Sequence, residues 1–247
     1  MSSNPDPIVI LVEPQLGENI GMCARAMLNC GLRTLRLVAP RDGWPSDIAR
    51  RTAADADIVI DGAEVFASVR EAVADCQRVV ATSARERSLP LPVWEAEEAA
   101  GEIKEAAAKG ERVAVLFGPE ASGLDREAVS RADALLRFST NPDFSSLNLA
   151  QSVLLFGWEW RRAAVPSGRG KSQISAERAD IDAFVERLEE ELDQSGFFLT
   201  PELKPTSQRT LRNLFTRALP SLQEVKFLHG MLTALRRSNL QDRPEQD

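Results

Sequence analysis

Short apolar runs, rich in β-branched residues, recur along the first two-thirds of this 247-residue chain, and helix-patterned stretches fall between most of them. The runs cover residues 8–12, 35–39, 58–60, 78–82, 113–117 and 134–138. Runs this short and this apolar predict strands buried on both faces. Strands that alternate with helices predict a mostly parallel sheet, because each parallel return needs a long crossover. The expected helices include residues 20–30, which end at Gly31, and 95–109, which are rich in Ala, Glu and Lys. Residues 147–162 form another, with Leu147, Ala150, Val153, Leu154, Gly157 and Trp158 at helical spacing.

After that helix the pattern stops. Pro166-Ser-Gly-Arg-Gly-Lys-Ser172 has the composition of a linker. Beyond it the chain is helical. Phe184, Leu188 and Leu192 make one stripe, and Leu211, Leu214, Phe215 and Ala218 another. Ser221 with Glu224 makes a capping box for a last helix carrying Val225, Leu228, Leu232 and Leu235. The expected organisation is an α/β domain over 1–164, a linker over 165–180, and a small helical domain over 181–247.

Several function classes are disfavoured. No apolar run approaches the roughly 20 residues of a membrane span. Residues 1–7 lack the basic and apolar regions of a signal peptide. The expected location is therefore cytoplasmic. Cys23, Cys30 and Cys76 are odd in number, form no Cys-x-x-Cys pair, and share the chain with one histidine, His229. No metal site is expected from them, and buried thiols are the plain reading. Gly168-Arg-Gly-Lys171-Ser172 lacks the first glycine and the preceding strand of a phosphate-binding loop. There is no dinucleotide fingerprint after the first strand, and no nucleophile elbow to partner His229. The net charge of −7 is unevenly spread: residues 204–237 carry seven Lys or Arg against the single acid Glu224. Nucleic-acid binding depends on such a local patch more than on the total.

Three segments carry more polar detail than packing needs. In Asn19-Ile-Gly-Met-Cys-Ala-Arg25, six residues at ~100° each put the two polar ends about 120° apart on a helix. Asn19 reads as an N-cap with Arg25 more than a turn inside. A cap and a solvated Arg is the bland alternative. Phe117-Gly-Pro-Glu-Ala-Ser-Gly123-Leu124 follows an expected strand directly. It is either a ligand loop at a strand's carboxyl end or an ordinary turn into a helix capped by Asp125. Asn141-Pro-Asp-Phe-Ser-Ser146-Leu-Asn148-Leu-Ala-Gln-Ser152 enters an apolar helix. A cap there needs one such residue, not Ser145, Ser146 and Asn148 together.

In this order and spacing, with Thr82-Ser-Ala-Arg-Glu-Arg87, these segments resemble the motifs of the SPOUT superfamily of trefoil-knotted 2′-O-ribose methyltransferases. Within it the chain is similar to the TrmJ family, which methylates cytidine or uridine at position 32 of the tRNA anticodon loop. Leu211-Arg-Asn-Leu-Phe-Thr-Arg-Ala-Leu-Pro220 resembles that family's C-terminal domain. The resemblance implies a SPOUT α/β-knot fold with a helical C-terminal domain, S-adenosylmethionine as cofactor, tRNA as partner, and a homodimer whose interface builds the active site. It implies a cofactor pocket lined by Thr82, Ser83, Ala84, Gly118, Phe138 and Ser145. It places Asn19, Arg25, Glu120, Ser146 and Asn148 at the catalytic-motif positions, with Arg85 and Arg87 on RNA phosphate. The basic C-terminal residues Arg212, Arg217 and Lys226 are expected to bind RNA. Alternatives are ribose methylation of rRNA, a non-catalytic RNA-binding protein on the same scaffold, and a nucleotide hydrolase, which lacks a carboxylate cluster for metal.

Overall fold

The computed structural model describes residues 6–83, 91–164, 174–198 and 200–241. The chain divides into two compact units between Ile174 and Ser175.

The first unit is a seven-stranded sheet with every neighbouring pair parallel. Its strands are β1 (Ile8–Val12), β2 (Leu35–Val38), β3 (Glu64–Phe66), β4 (Arg78–Thr82), β5 (Val93–Glu95), β6 (Val113–Phe117) and β7 (Ala134–Arg137). They lie in the order β3-β2-β1-β6-β4-β7-β5. Among the described residues seven α-helices belong to this unit: α1 (Gly17–Asn29), α2 (Asp47–Thr52), α3 (Asp57–Asp61), α4 (Val69–Ala72), α5 (Ala96–Ala108), α6 (Arg126–Ser130) and α7 (Leu149–Arg162).

Period-two alternation divides β1 between two cores. Val9 and Leu11 pack with Ile20, Met27, Ile103, Val153 and Phe156 from α1, α5 and α7. Ile8, Ile10 and Val12 pack on the other face with Val73, Ala128 and Val129. Burial on both faces is why these strands are apolar at every position. Two close approaches depend on glycine. A Cβ on Gly21 of α1 would sit 2.1 Å from the Ala49 carbonyl oxygen of α2, and one on Gly157 of α7 would sit 2.9 Å from Cys30 Cβ.

In the first unit the structure departs from the sequence reading in several places. The expected strand 58–60 is the one-turn helix α3, which buries Val59 and Ile60 and turns Ile58 outward. The sheet's outer strands β3 and β5 were not expected; each has three residues, none of them fully buried. Asn19 is not a cap. The N-cap of α1 is Leu16, and Asn19 lies buried in the first turn. The expected stripe of α7 is also rotated. Leu149, Val153, Phe156, Gly157 and Trp160 are buried, while Leu154, Leu155 and Trp158 face outward. Apolar residues spread over more than one face of this helix, so periodicity alone leaves more than one stripe to choose from.

The second unit holds α8 (Arg178–Gln194), α9 (Lys204–Ala218) and α10 (Leu222–Gln241). Residues 175–180, placed by composition in the linker, pair within this unit: Ser175 bridges Ser221, and the Ala176 N–H donates to the Pro220 carbonyl at 2.7 Å. Residues 165–173 of that expected linker lie outside the described residues. The core is small, built on Ala176, Ile181, Phe184, Val185 and Val225. Phe184 meets Phe215 edge-on at 4.9 Å and the His229 ring at 5.4 Å, so the histidine is a packing residue. The Ser221–Glu224 capping box is present: the Ser221 N–H donates to Glu224 Oε2 at 2.8 Å and the Glu224 N–H to Ser221 Oγ at 3.3 Å.

Candidate functional site

A cleft of about 260 Å³ opens at the carboxyl ends of the adjacent strands β6, β4 and β7. Side chains there are carried past the last ladder hydrogen bonds, which is why parallel sheets bind ligands at this edge. Thr82 and Ser83 enter from β4, residues 117–124 from the loop after β6, and Phe138, Ser145, Ser146, Leu149 and Ser152 from the β7–α7 segment.

Each wall is fixed. The Thr82 hydroxyl donates to the Leu116 carbonyl at 2.9 Å, and the Ser83 N–H to the Leu136 carbonyl at 2.9 Å. The loop after β6 closes on itself, with the Gly123 N–H donating to the Pro119 carbonyl at 2.9 Å. A Cβ on Gly118 would stand 2.2 Å from Leu124 N, and Gly123 has φ +68°, so both glycines are required by the backbone. Asp125 then caps α6 by accepting from the Ala128 N–H at 2.7 Å. The β7–α7 segment begins with Arg137 and Ser139, which donate to Glu95 at 3.1 and 2.9 Å.

Behind the cleft the three polar segments meet. Glu120 accepts from the Gln15 N–H through Oε2 at 3.0 Å and from Asn19 Nδ2 through Oε1 at 2.6 Å. Asn19 Oδ1 in turn accepts from Asn148 Nδ2 at 3.3 Å. Asn148 uses its own Oδ1 to cap α7, accepting from the Ala150 N–H at 2.9 Å, while its N–H donates to Gln151. One amide is thus both cap and link, which the sequence presented as alternatives.

Thr82, Ser83, Gly118, Glu120, Phe138, Ser145 and Ser146 therefore line the cleft, and Asn19 and Asn148 brace it. Arg25 does not line it; it sits exposed on α1, on the same helix as the outward-facing Met22. Ala84, Arg85 and Arg87 lie outside the described residues. In the second unit Arg217 and Lys226 are exposed. Arg212 is only 16% exposed and faces Asp182 at 3.8 Å and Glu189 at 4.0 Å. Leu124, Leu149 and Ser152 also line the cleft; they fall inside the segments read from the sequence but were not singled out there. Gln15 was missed, since its contribution is a backbone N–H and carries no residue signature.

The donor set suits a ligand with hydroxyls and a flat apolar face: serines and a threonine stand beside Phe117, Phe138 and Leu124. Nucleophilic thiol chemistry is disfavoured. Burial, with the Glu120 carboxylate nearby, pushes the Cys23 thiol far up, and burial beside Asp75 takes Cys76 up to about 12. Among the described residues no group of three His, Cys, Asp or Glu is arranged to hold a metal, and no helix is long and apolar enough to cross a membrane.

Residues 6–158, which contain this whole site, match the SpoU rRNA Methylase family. The chain belongs to that family. Residues 179–245 of this SpoU-family chain match the tRNA methyltransferase TrmJ C-terminal domain. It is 35% identical over 243 residues to tRNA (cytidine/uridine-2′-O-)-methyltransferase TrmJ of Escherichia coli (strain K12), covering 96% of this chain and 98% of that protein. The crystal structure of TrmJ from Z. mobilis ZM4 superposes with a TM-score of 0.86 at 44% identity, covering 94% of this chain and all of that one. A structure concerned with 2-OH methylation of C/U34 on tRNA matches at 28% identity and a TM-score of 0.50, over 62% of this chain and 93% of that one. The sheet and its flanking helices are those of the SPOUT α/β-knot fold, with a helical C-terminal unit.

Proposed function

We propose that this chain is an S-adenosylmethionine-dependent tRNA 2′-O-ribose methyltransferase acting on cytidine or uridine, as its TrmJ relatives are named. The observation that carries this is the convergence of three sequence-distant polar segments on one cleft at the carboxyl ends of β4, β6 and β7. Position 32 of the anticodon loop is the proposed target. The C-terminal unit, which is matched to the TrmJ domain, favours it over position 34. Cytoplasmic location follows from a tRNA substrate.

Thr82, Ser83, Gly118, Phe138 and Ser145 would hold S-adenosylmethionine, which supplies a methyl group already activated on a sulfonium. The chain's own work is alignment and charge control, and alignment alone can supply several kcal/mol of a barrier. Both oxygens of Glu120 are engaged by Gln15 and Asn19, which supports a positioning role rather than one as base. Asn148 and Ser146 set the wall of the cleft. The Arg25 guanidinium is a planar fork of N–H donors with no acceptor. Its role is to orient the ribose and stabilise negative charge developing on the 2′-oxygen. We place that Arg25 in the cleft of a second copy. Its exposure, together with outward Met22, Leu154, Leu155 and Trp158 on α1 and α7, supports a homodimer built on this surface.

Incubation with labelled S-adenosylmethionine and unmodified tRNA, followed by nucleotide mapping, tests the whole reading. A labelled 2′-O-methyl pyrimidine at position 32 is expected; label on rRNA alone, or none, would sink it. S-adenosylmethionine should also raise the melting temperature, by the equivalent of roughly 2.7 kcal/mol at a hundredfold excess over Kd, and NADH or ATP should not. Gly118→Ala should shrink that response. Its Cβ would force the loop off Leu124 N, and overpacking of this kind costs roughly 1–3 kcal/mol, or about 5- to 150-fold in cofactor affinity.

A further inference from the structure

Phe144 stands 78% exposed at the end of the single 3-10 turn Pro142–Phe144. The turn does not need an aromatic ring. Its shape is set by Asn141, whose Oδ1 accepts from the Asp143 N–H at 3.0 Å and whose carbonyl accepts from the Phe144 N–H at 2.9 Å, and by Pro142. The next two residues, Ser145 and Ser146, line the cleft. The Ser145 carbonyl accepts from Thr140 Oγ1 at 3.4 Å, which ties the far end of the turn back to its start. An apolar ring thus stands exposed beside two residues that line the cleft, on a loop braced at both ends.

We propose that Phe144 is the stacking platform for the base of the nucleotide being methylated. The inference rests on the reading of the chain as a tRNA ribose methyltransferase. The 2′-oxygen must reach the cleft, so the base on the same ribose lies just outside it, beside residues that adjoin Ser145. Bases in RNA loops are recognised unstacked, and an aromatic face replaces the lost neighbour. Charge favours the base over the backbone: Asp143, the residue before Phe144, is exposed, and its carboxylate would repel phosphate, whereas a pyrimidine is neutral. A face without directional hydrogen bonds also accepts cytidine and uridine alike.

The test compares Phe144→Ala, Phe144→Leu, Phe144→Tyr and Phe144→Trp in the full chain, with labelled S-adenosylmethionine and an unmodified tRNA transcript. Removing one base-stacking aromatic lowers affinity by roughly 5- to 150-fold. Ala and Leu should lose within that range in kcat/KM for tRNA, while S-adenosylmethionine affinity and melting temperature stay at wild-type values. Tyr and Trp should retain most activity. A fluorescent cytidine analogue at the target position should be quenched on binding wild type and not on binding Phe144→Leu. Leu performing as well as Tyr would overturn the proposal. So would loss of the dimer in Phe144→Ala by sedimentation, which would assign the ring to a partner surface. A wild-type chain that binds tRNA but transfers no methyl group would refute the underlying reading, and this inference with it.

Discussion

Replacing Arg25 by Ala is expected to remove methyl transfer to tRNA, by two to three orders of magnitude or more, while S-adenosylmethionine binds as to wild type. The size follows from losing a charged donor aimed at a developing oxyanion in a dry site. Stability should change little, because Arg25 is exposed on α1 and substitutions at such positions cost about 0.5 kcal/mol or less. Arg25→Lys should also be poor, since a point charge does not reproduce the planar fork. Supply of the side chain by a second copy adds a sharper expectation. When Arg25→Ala and Gly118→Ala chains are mixed and allowed to exchange, half the dimers are mixed, and each holds one site with an intact cleft and an intact arginine. About a quarter of wild-type activity should return. No recovery in demonstrably mixed dimers would show that Arg25 acts within its own chain. Retention of most turnover by Arg25→Ala would remove it from the mechanism.

Removal of the C-terminal unit is the second large effect. A chain ending at Ile174 keeps both cores of the sheet and every residue of the cleft, so its thermal response to S-adenosylmethionine should persist. Most tRNA affinity, and with it activity on tRNA, should go. Phosphate neutralisation by Lys and Arg makes RNA affinity salt-dependent. Arg217→Ala with Lys226→Ala should therefore weaken binding and reduce the slope of log affinity against log salt, by about 0.7–0.9 for each phosphate no longer neutralised. Arg212 divides from its neighbours here. It lies among Asp182 and Glu189, and burial already pushes the Glu189 carboxyl up, against the opposing charge of Arg212. Arg212→Ala should leave buried acids without that cation and lower the stability of the unit, by about 3 kcal/mol, without the matching change in slope. Filter binding at two salt concentrations, with thermal melts of each variant, separates the two outcomes. Unchanged affinity and slope in a folded Arg217→Ala, Lys226→Ala variant would leave these residues as solubilising charge only.

The strands buried on both faces were legible because such a strand leaves an unmistakable run: 8–12, 78–82 and 113–117 are β1, β4 and β6 to the residue. The capping box at Ser221 and the cap at Asp125 were legible because a cap is a local hydrogen bond between residues three apart. The three-residue strands β3 and β5 were not, since an outer strand takes its structure from its one neighbour rather than from its own composition.

At the site the division is the same. The motifs named nearly every described residue of the cleft, because residue type and spacing along one loop are properties of the sequence. Tertiary structure alone made Asn19 a buried link rather than a cap. Its partners, Glu120 and Asn148, lie 101 and 129 residues away, and only the sheet order β1-β6-β4-β7 brings their loops to one edge. It also turned Leu154, Leu155 and Trp158 of α7 outward and Arg212 of α9 inward. Side-chain chemistry is written in the chain, but which face of a helix with several apolar sides is buried, and whether a cation meets solvent or a carboxylate, depends on what packs beside it.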